Sequence, residues 1–120
     1  TVVVEKEVTA EQAAVEPATV RFNARTGVQG DYFIERARAF EEQNPNITIK
    51  EELSPHEEYH QKLEMSLAAG TVADTWWVPA IGGFFRYANS GLSIAINDLM
   101  EAEGFDTGVF YPSVLGSMRF

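Results

Sequence analysis

Thr19-Val20-Arg21-Phe22-Asn23-Ala24, with Gly27 and Gly30 close behind, is the stretch whose reading decides the fold. Polar and apolar side chains alternate through it, the period of a half-buried strand, and the two glycines bracket a loop. Beyond the loop, Phe33, Ala37 and Phe40 share one helical face with Ile34 beside them. Asp31 is the expected N-cap of that helix, and Asn44-Pro45 stops it. Residues 46–53 read as a second strand with Ile47, Ile49 and Glu51 on one side. Ser54-Pro55-His56-Glu57 reads as a helix start in which Ser54 caps, Pro55 fills the first turn and Glu57 completes a capping box. The helix presents Tyr59, Leu63 and Leu67 and ends at Gly70. Asp74-Thr75-Trp76-Trp77-Val78 is a third strand, broken by Pro79. Residues 81–90 form a short helix with Phe84, Phe85 and Tyr87, closed by Gly91. Asn97 or Asp98 caps another that runs to Glu103, and Tyr111-Pro112-Ser113 opens a last one.

Strands and helices that alternate through short connections predict a doubly wound α/β fold, a parallel sheet with helices on both faces. Ligands of such sheets sit beyond the carboxyl ends of the strands, where strand order reverses. That rule nominates the loops at residues 23–30, 53–59 and 76–84.

Composition narrows the function. Eighteen Asp and Glu against nine Lys and Arg give a net charge of −9 over 120 residues, which excludes a phosphate-backbone binder and disfavours an anionic membrane surface. No cysteine is present, so there is no disulfide framework, thiol nucleophile or Cys-based zinc site. Eight Phe, four Tyr and two Trp suffice for a real core, and the length suits one domain or part of one. Residues 1–17 are rich in Val, Ala, Glu and Gln without an aromatic anchor, and read as a flexible acidic linker ahead of residues 18–120.

Three motifs carry chemistry. His56-Glu57-Glu58-Tyr59-His60 fits H-E-x-x-H, the pattern of a zinc hydrolase in which His56 and His60 bind metal and Glu57 is the base. It lies in the first helical turn, where Glu57 already has a capping role, and the chain has no third His. The loop 24–30 precedes a helix, yet it lacks the phosphate-binding glycine spacings and puts Asp31 where the anion would sit. Trp76-Trp77, at the carboxyl end of the third strand, suits an aromatic platform for the apolar face of a pyranose ring. The remaining acidic side chains scatter over helix faces with no spacing that pairs two carboxylates.

Taken together, Phe40-Glu41-Glu42-Gln43-Asn44-Pro45-Asn46-Ile47-Thr48-Ile49, Tyr59-x-x-Lys62-Leu63-x-x-x-Leu67-Ala68-Ala69-Gly70, Ala73-Asp74-Thr75-Trp76-Trp77 and Tyr87-Ala88-Asn89-Ser90-Gly91-Leu92 resemble the start of bacterial extracellular solute-binding proteins of family 1. These are the sugar-type binding proteins of ABC importers, the group that includes maltose-binding protein. The resemblance spans residues 19–120 and implies a type II periplasmic-binding-protein fold, of which 18–120 is the N-terminal portion of the first of two lobes. It implies a monomeric, non-enzymatic protein without a cofactor that captures a small solute, a carbohydrate, outside the cytoplasmic membrane. Its partners are then the transmembrane subunits of an ABC permease, with no role for nucleic acid. The arm at 1–17 looks like the acidic linker behind the lipid-bearing Cys of tethered members, a Cys this chain lacks. By position, the resemblance assigns Asn23, Arg25 and Thr26 after strand one, His56 and Tyr59 after strand two, and Trp77 with Trp76 after strand three to ligand binding. Maltose-binding protein has acidic and basic side chains in the first and third of these loops. Here the first holds Arg25 and the third Val78-Pro79-Ala80-Ile81, a departure from a maltodextrin site, and an Arg also suits an anionic solute.

Overall fold

The computed structural model describes residues 16–79 and 83–119. They divide into two units, Thr1–Trp77 and Val78–Phe120. The linker expected at 1–17 falls outside the described residues except for Glu16 and Pro17, both exposed.

In the first unit, β1 (Ala18–Arg25), α1 (Val28–Gln43), β2 (Ile47–Ser54), α2 (His56–Ala69) and β3 (Thr75–Trp76) follow one another. The strands form a parallel sheet in the order β2-β1-β3, with Ala18 opposite Ile47 at one end of the β1–β2 ladder and Arg25 opposite Ser54 at the other. On β3, Thr75 faces Phe22 and Trp76 faces Asn23. The chain moves one way from β1 to β2, then back across β1 to β3, which sends the two crossover helices to opposite faces. Side-chain alternation along β1 agrees. Phe22 meets Phe33 of α1 edge-to-face at 5.2 Å, while Arg21, Asn23 and Arg25 point to the α2 side. Ala24, Ala37, Tyr59, Leu63 and Ala73 form the buried core of this unit.

Within this unit, element ends depart from the sequence expectation in three places, each with a physical cause. First, α1 begins at Val28 behind Gly27, whose φ of 95° belongs to glycine, so Asp31 lies in the first turn and does not cap. Gly30 follows in that turn, where a Cβ would lie 2.6 Å from the Arg25 carbonyl oxygen. Second, Ser54 remains in β2, its carbonyl accepting the Thr26 N–H at 2.9 Å. The N-cap of α2 is therefore Pro55 with no side-chain cap, and Glu57 and Glu58 complement the helix dipole from the first turn. Third, β3 is only two residues long, because Asp74 Oδ2 accepts the Arg21 backbone N–H at 2.8 Å in place of a backbone carbonyl. Gly70 closes α2 in the left-handed conformation as expected. At the open side of β2, Glu41 accepts the Ile49 N–H at 2.6 Å and Arg38 donates to the Ile49 carbonyl at 3.3 Å, so α1 side chains satisfy an otherwise bare strand edge.

The second unit is helical: α3 (Phe84–Asn89), α4 (Asn97–Ala102), a single 3-10 turn (Thr107–Val109) and α5 (Pro112–Ser117). Residue 81, the expected start of α3, lies outside the described residues. Ile96 takes the N-cap of α4 that Asn97 or Asp98 was expected to fill. Tyr87 is buried, its carbonyl accepting the Ser90 hydroxyl at 2.6 Å. Among the described residues, no helix is long and apolar enough to cross a membrane.

Candidate functional site

Strand order reverses between β1 and β3, and side chains from β1, α1, α2 and the residue that follows β3 come together at the carboxyl ends of those strands. Arg25, the last residue of β1, lays its guanidinium over the Trp77 ring with Cζ 4.5 Å from the centroid, a cation–π contact. Its Nη1 donates to Nδ1 of His56, the first residue of α2, at 2.6 Å. An arginine only donates, so this contact places the imidazole proton on Nε2. Its Nε donates to Gln29 Oε1 at 2.7 Å. One turn along α2, His60 comes within 6.4 Å of the Trp77 ring, and Tyr59 within 5.8 Å.

Tyr59 holds this arrangement from below. Only 2% exposed, it donates its hydroxyl to the Trp77 carbonyl at 2.6 Å and lies 3.1 Å from the Asn23 carbonyl. The Trp77 N–H donates to the same Asn23 oxygen at 2.9 Å. The chain after β3 is thus fastened to β1 and α2 at the residue that carries the indole.

Beside it, on the α2 side of the sheet, an open cavity of about 370 Å³ is floored by a charged network. Arg21 grips Glu52 with two bonds, Nε to Oε1 at 2.8 Å and Nη2 to Oε2 at 3.0 Å, the bidentate geometry that suits a guanidinium and a carboxylate. Asn23 Nδ2 donates to Glu52 Oε2 at 3.0 Å, and Asn23 Oδ1 accepts the Ala73 N–H at 3.3 Å. Lys62 and Ser66 of α2 line the opposite wall. The Arg21 hydrogen bond holds the Glu52 carboxyl below its ordinary value of 4.5, against an opposing effect of burial, with Asn23 adding to the drop. A carboxyl with a depressed folded pKa stabilises the fold above the unfolded value and loses that contribution as pH falls through the folded one. Urea midpoints are therefore expected to decline on acidification below about pH 4.5, and Glu52→Gln to flatten that decline while lowering the neutral-pH midpoint. An equally steep decline in the variant would remove Glu52 as its source.

Of the residues assigned to ligand binding from sequence, the structure sets Arg25 against both His56 and Trp77, and Tyr59 against Trp77. Thr26 is exposed next to Arg25, and Trp76 is half-buried opposite Asn23. The Asn23 amide is occupied by Glu52 and Ala73 and faces the cavity floor. The zinc-hydrolase reading of His56, Glu57 and His60 gains no support from the structure. Among the described residues no three His, Cys, Asp or Glu side chains are grouped to hold a metal ion, His56 accepts from Arg25, and His60 packs beside the Trp77 and Tyr59 rings. Gln29 and Glu52 were not foreseen. The signal for Glu52 was available in principle, because a register pairing Asn23 with Glu52 sets it beside Arg21 and Asn23.

A parallel sheet of order β2-β1-β3 with polar and aromatic groups converging at the strand reversal is the layout of a ligand-binding α/β lobe. The chain belongs to the bacterial extracellular solute-binding protein family, whose family model matches residues 24–119. Over 65 residues it is 38% identical to a binding protein of Brucella abortus, a stretch that covers 54% of this chain and 15% of that protein. Its fold is similar to that of an ABC substrate-binding protein from Listeria monocytogenes in complex with cycloalternan, with a TM-score of 0.78 and 20% identity over 88% of this chain and 27% of that one. An extracellular solute-binding protein family 1 from Alicyclobacillus acidocaldarius superposes with a TM-score of 0.76 at 25% identity, over 89% of this chain and 26% of that one. The chain thus spans about a quarter of the length of these solved relatives. The expected α/β class and family stand.

Proposed function

We propose that this chain is the opening part of the first lobe of an ABC importer's substrate-binding component, which captures a sugar or related small solute outside the cytoplasmic membrane and delivers it to the permease's transmembrane subunits. The single observation that carries the reading is the Arg25, His56 and Trp77 cluster at the strand reversal, in a chain of this family. The cycloalternan complex of the Listeria relative supports a carbohydrate. Arg25, Thr26, His56, Trp76 and Trp77 contribute ligand contacts, while Asn23 and Tyr59 place the two strand ends that carry them. Function is by binding, with no covalent step: solute that bridges two lobes favours their closed arrangement because it binds that state better. The protein acts as a monomer in this scheme.

Calorimetric titration of the complete gene product against a panel of mono- and oligosaccharides tests the proposal. The expected result is saturable binding of one sugar class at one site per chain, with the sugar recovered unchanged. Absence of saturable heat across the panel, or conversion of the sugar, would overturn it.

A further inference from the structure

We infer that the solute carries an anionic group, a carboxylate or phosphate on a sugar, and that Arg25 receives it; this rests on the solute-binding reading above. The argument starts from charge pairing. In the first unit every described Lys or Arg other than Arg25 has a carboxylate within 4.0 Å: Arg21 with Glu52, Arg36 with Glu35, Arg38 with Glu41 and Glu51, Lys50 with Glu52, and Lys62 with Glu58. Such pairing is what a chain with twice as many acids as bases produces by default. Arg25 departs from it. Among the described residues its partners are an indole face, the Gln29 amide oxygen and the neutral imidazole nitrogen of His56. Acids do lie near it in sequence, Asp31 in the first turn of α1 and Glu57 and Glu58 in that of α2. None of them pairs with it, and Glu58 is taken by Lys62 at 2.7 Å.

Three neutral partners hold the guanidinium in place without cancelling its charge. Of its five N–H groups, one serves Gln29 and one serves His56. The remaining three, one on Nη1 and two on Nη2, are left for the oxygens of a carboxylate or phosphate, groups that a guanidinium binds through paired N–H donors. A second consequence concerns the indole. Because Arg25 covers one face of the Trp77 ring, the platform presented at the strand reversal is a charged, stacked pair, better matched to an anionic sugar than to a neutral pyranose alone.

The test compares the complete gene product with its Arg25→Gln and Arg25→Lys variants in titrations against glucuronate, galacturonate, a glucose phosphate, and the neutral sugars glucose, galactose and maltose. The expected result is that one anionic class binds at least tenfold tighter than its neutral counterpart. Arg25→Gln then weakens that class roughly 10- to 100-fold, the usual scale for a lost charged hydrogen bond, and weakens neutral sugars by a clearly smaller factor. Arg25→Lys keeps the charge without the paired N–H donors and falls between. The uronate and phosphate arms show which anion is preferred. Neutral sugars bound as tightly as anionic ones, or an Arg25→Gln variant weakened equally for both, would overturn the inference and leave the sugar-binding reading intact. Silence toward every sugar in the panel would overturn both.

Discussion

Tyr59→Ala is expected to destabilise the protein by about 3–5 kcal/mol, the usual cost of emptying a buried aromatic position. Tyr59 is among the most buried side chains of the first unit, and its ring fills the space between α2 and β1. Tyr59→Phe separates packing from hydrogen bonding. The ring stays, but the Trp77 carbonyl loses the hydroxyl that donates to it at 2.6 Å, which is expected to cost about 1–3 kcal/mol. Urea midpoints of the two variants, with unchanged m-values, measure both numbers. A Phe variant as stable as the parent would mean that the hydroxyl is not what fastens the chain after β3 to α2.

Trp77→Ala is the second large effect, this time on binding. In the proposed site the indole is at once a ligand platform and the surface on which Arg25 is stacked, so its removal is expected to delete one contact and release the cation from its oriented position. Losses of about 2–4 kcal/mol are typical of a central aromatic anchor, which corresponds to roughly 30- to 1000-fold in affinity. Trp76→Ala, with an indole that makes no ring contact to Arg25 among the described residues, is expected to cost far less. Calorimetry on both variants with the best sugar of the panel tests the ranking. Equal losses in the two would mean that the cation–indole stack is not the centre of the site.

Much of the fold was readable in one dimension. The polar–apolar alternation over 19–24 marks β1, the helical spacing of Phe33, Ala37 and Phe40 marks α1, and Gly70 marks the end of α2. These signals are local, set by backbone and side-chain periods that need no partner. Errors arose where a distant group satisfied the backbone. Ser54 was a plausible cap until Thr26 engaged its carbonyl across the ladder, and β3 was shortened by Asp74 taking the Arg21 amide. The candidate site divides the same way. The residue types at the strand ends were legible, because ligands sit at those ends in parallel sheets. Their division of labour was not. Only the register of β1 against β2 and β3 commits Asn23 to Glu52 and Ala73, and sets Arg25 against Trp77 and His56.

The central claim is that solute binds at the strand reversal against the Arg25 and Trp77 pair. The most direct measurement is the indole N–H resonance of Trp77 in the complete gene product, assigned by its loss in Trp77→Phe and followed during titration with the tightest-binding sugar. The account predicts a saturable shift of that resonance whose midpoint matches the calorimetric affinity. Saturable binding by calorimetry with the Trp77 resonance unmoved would contradict it.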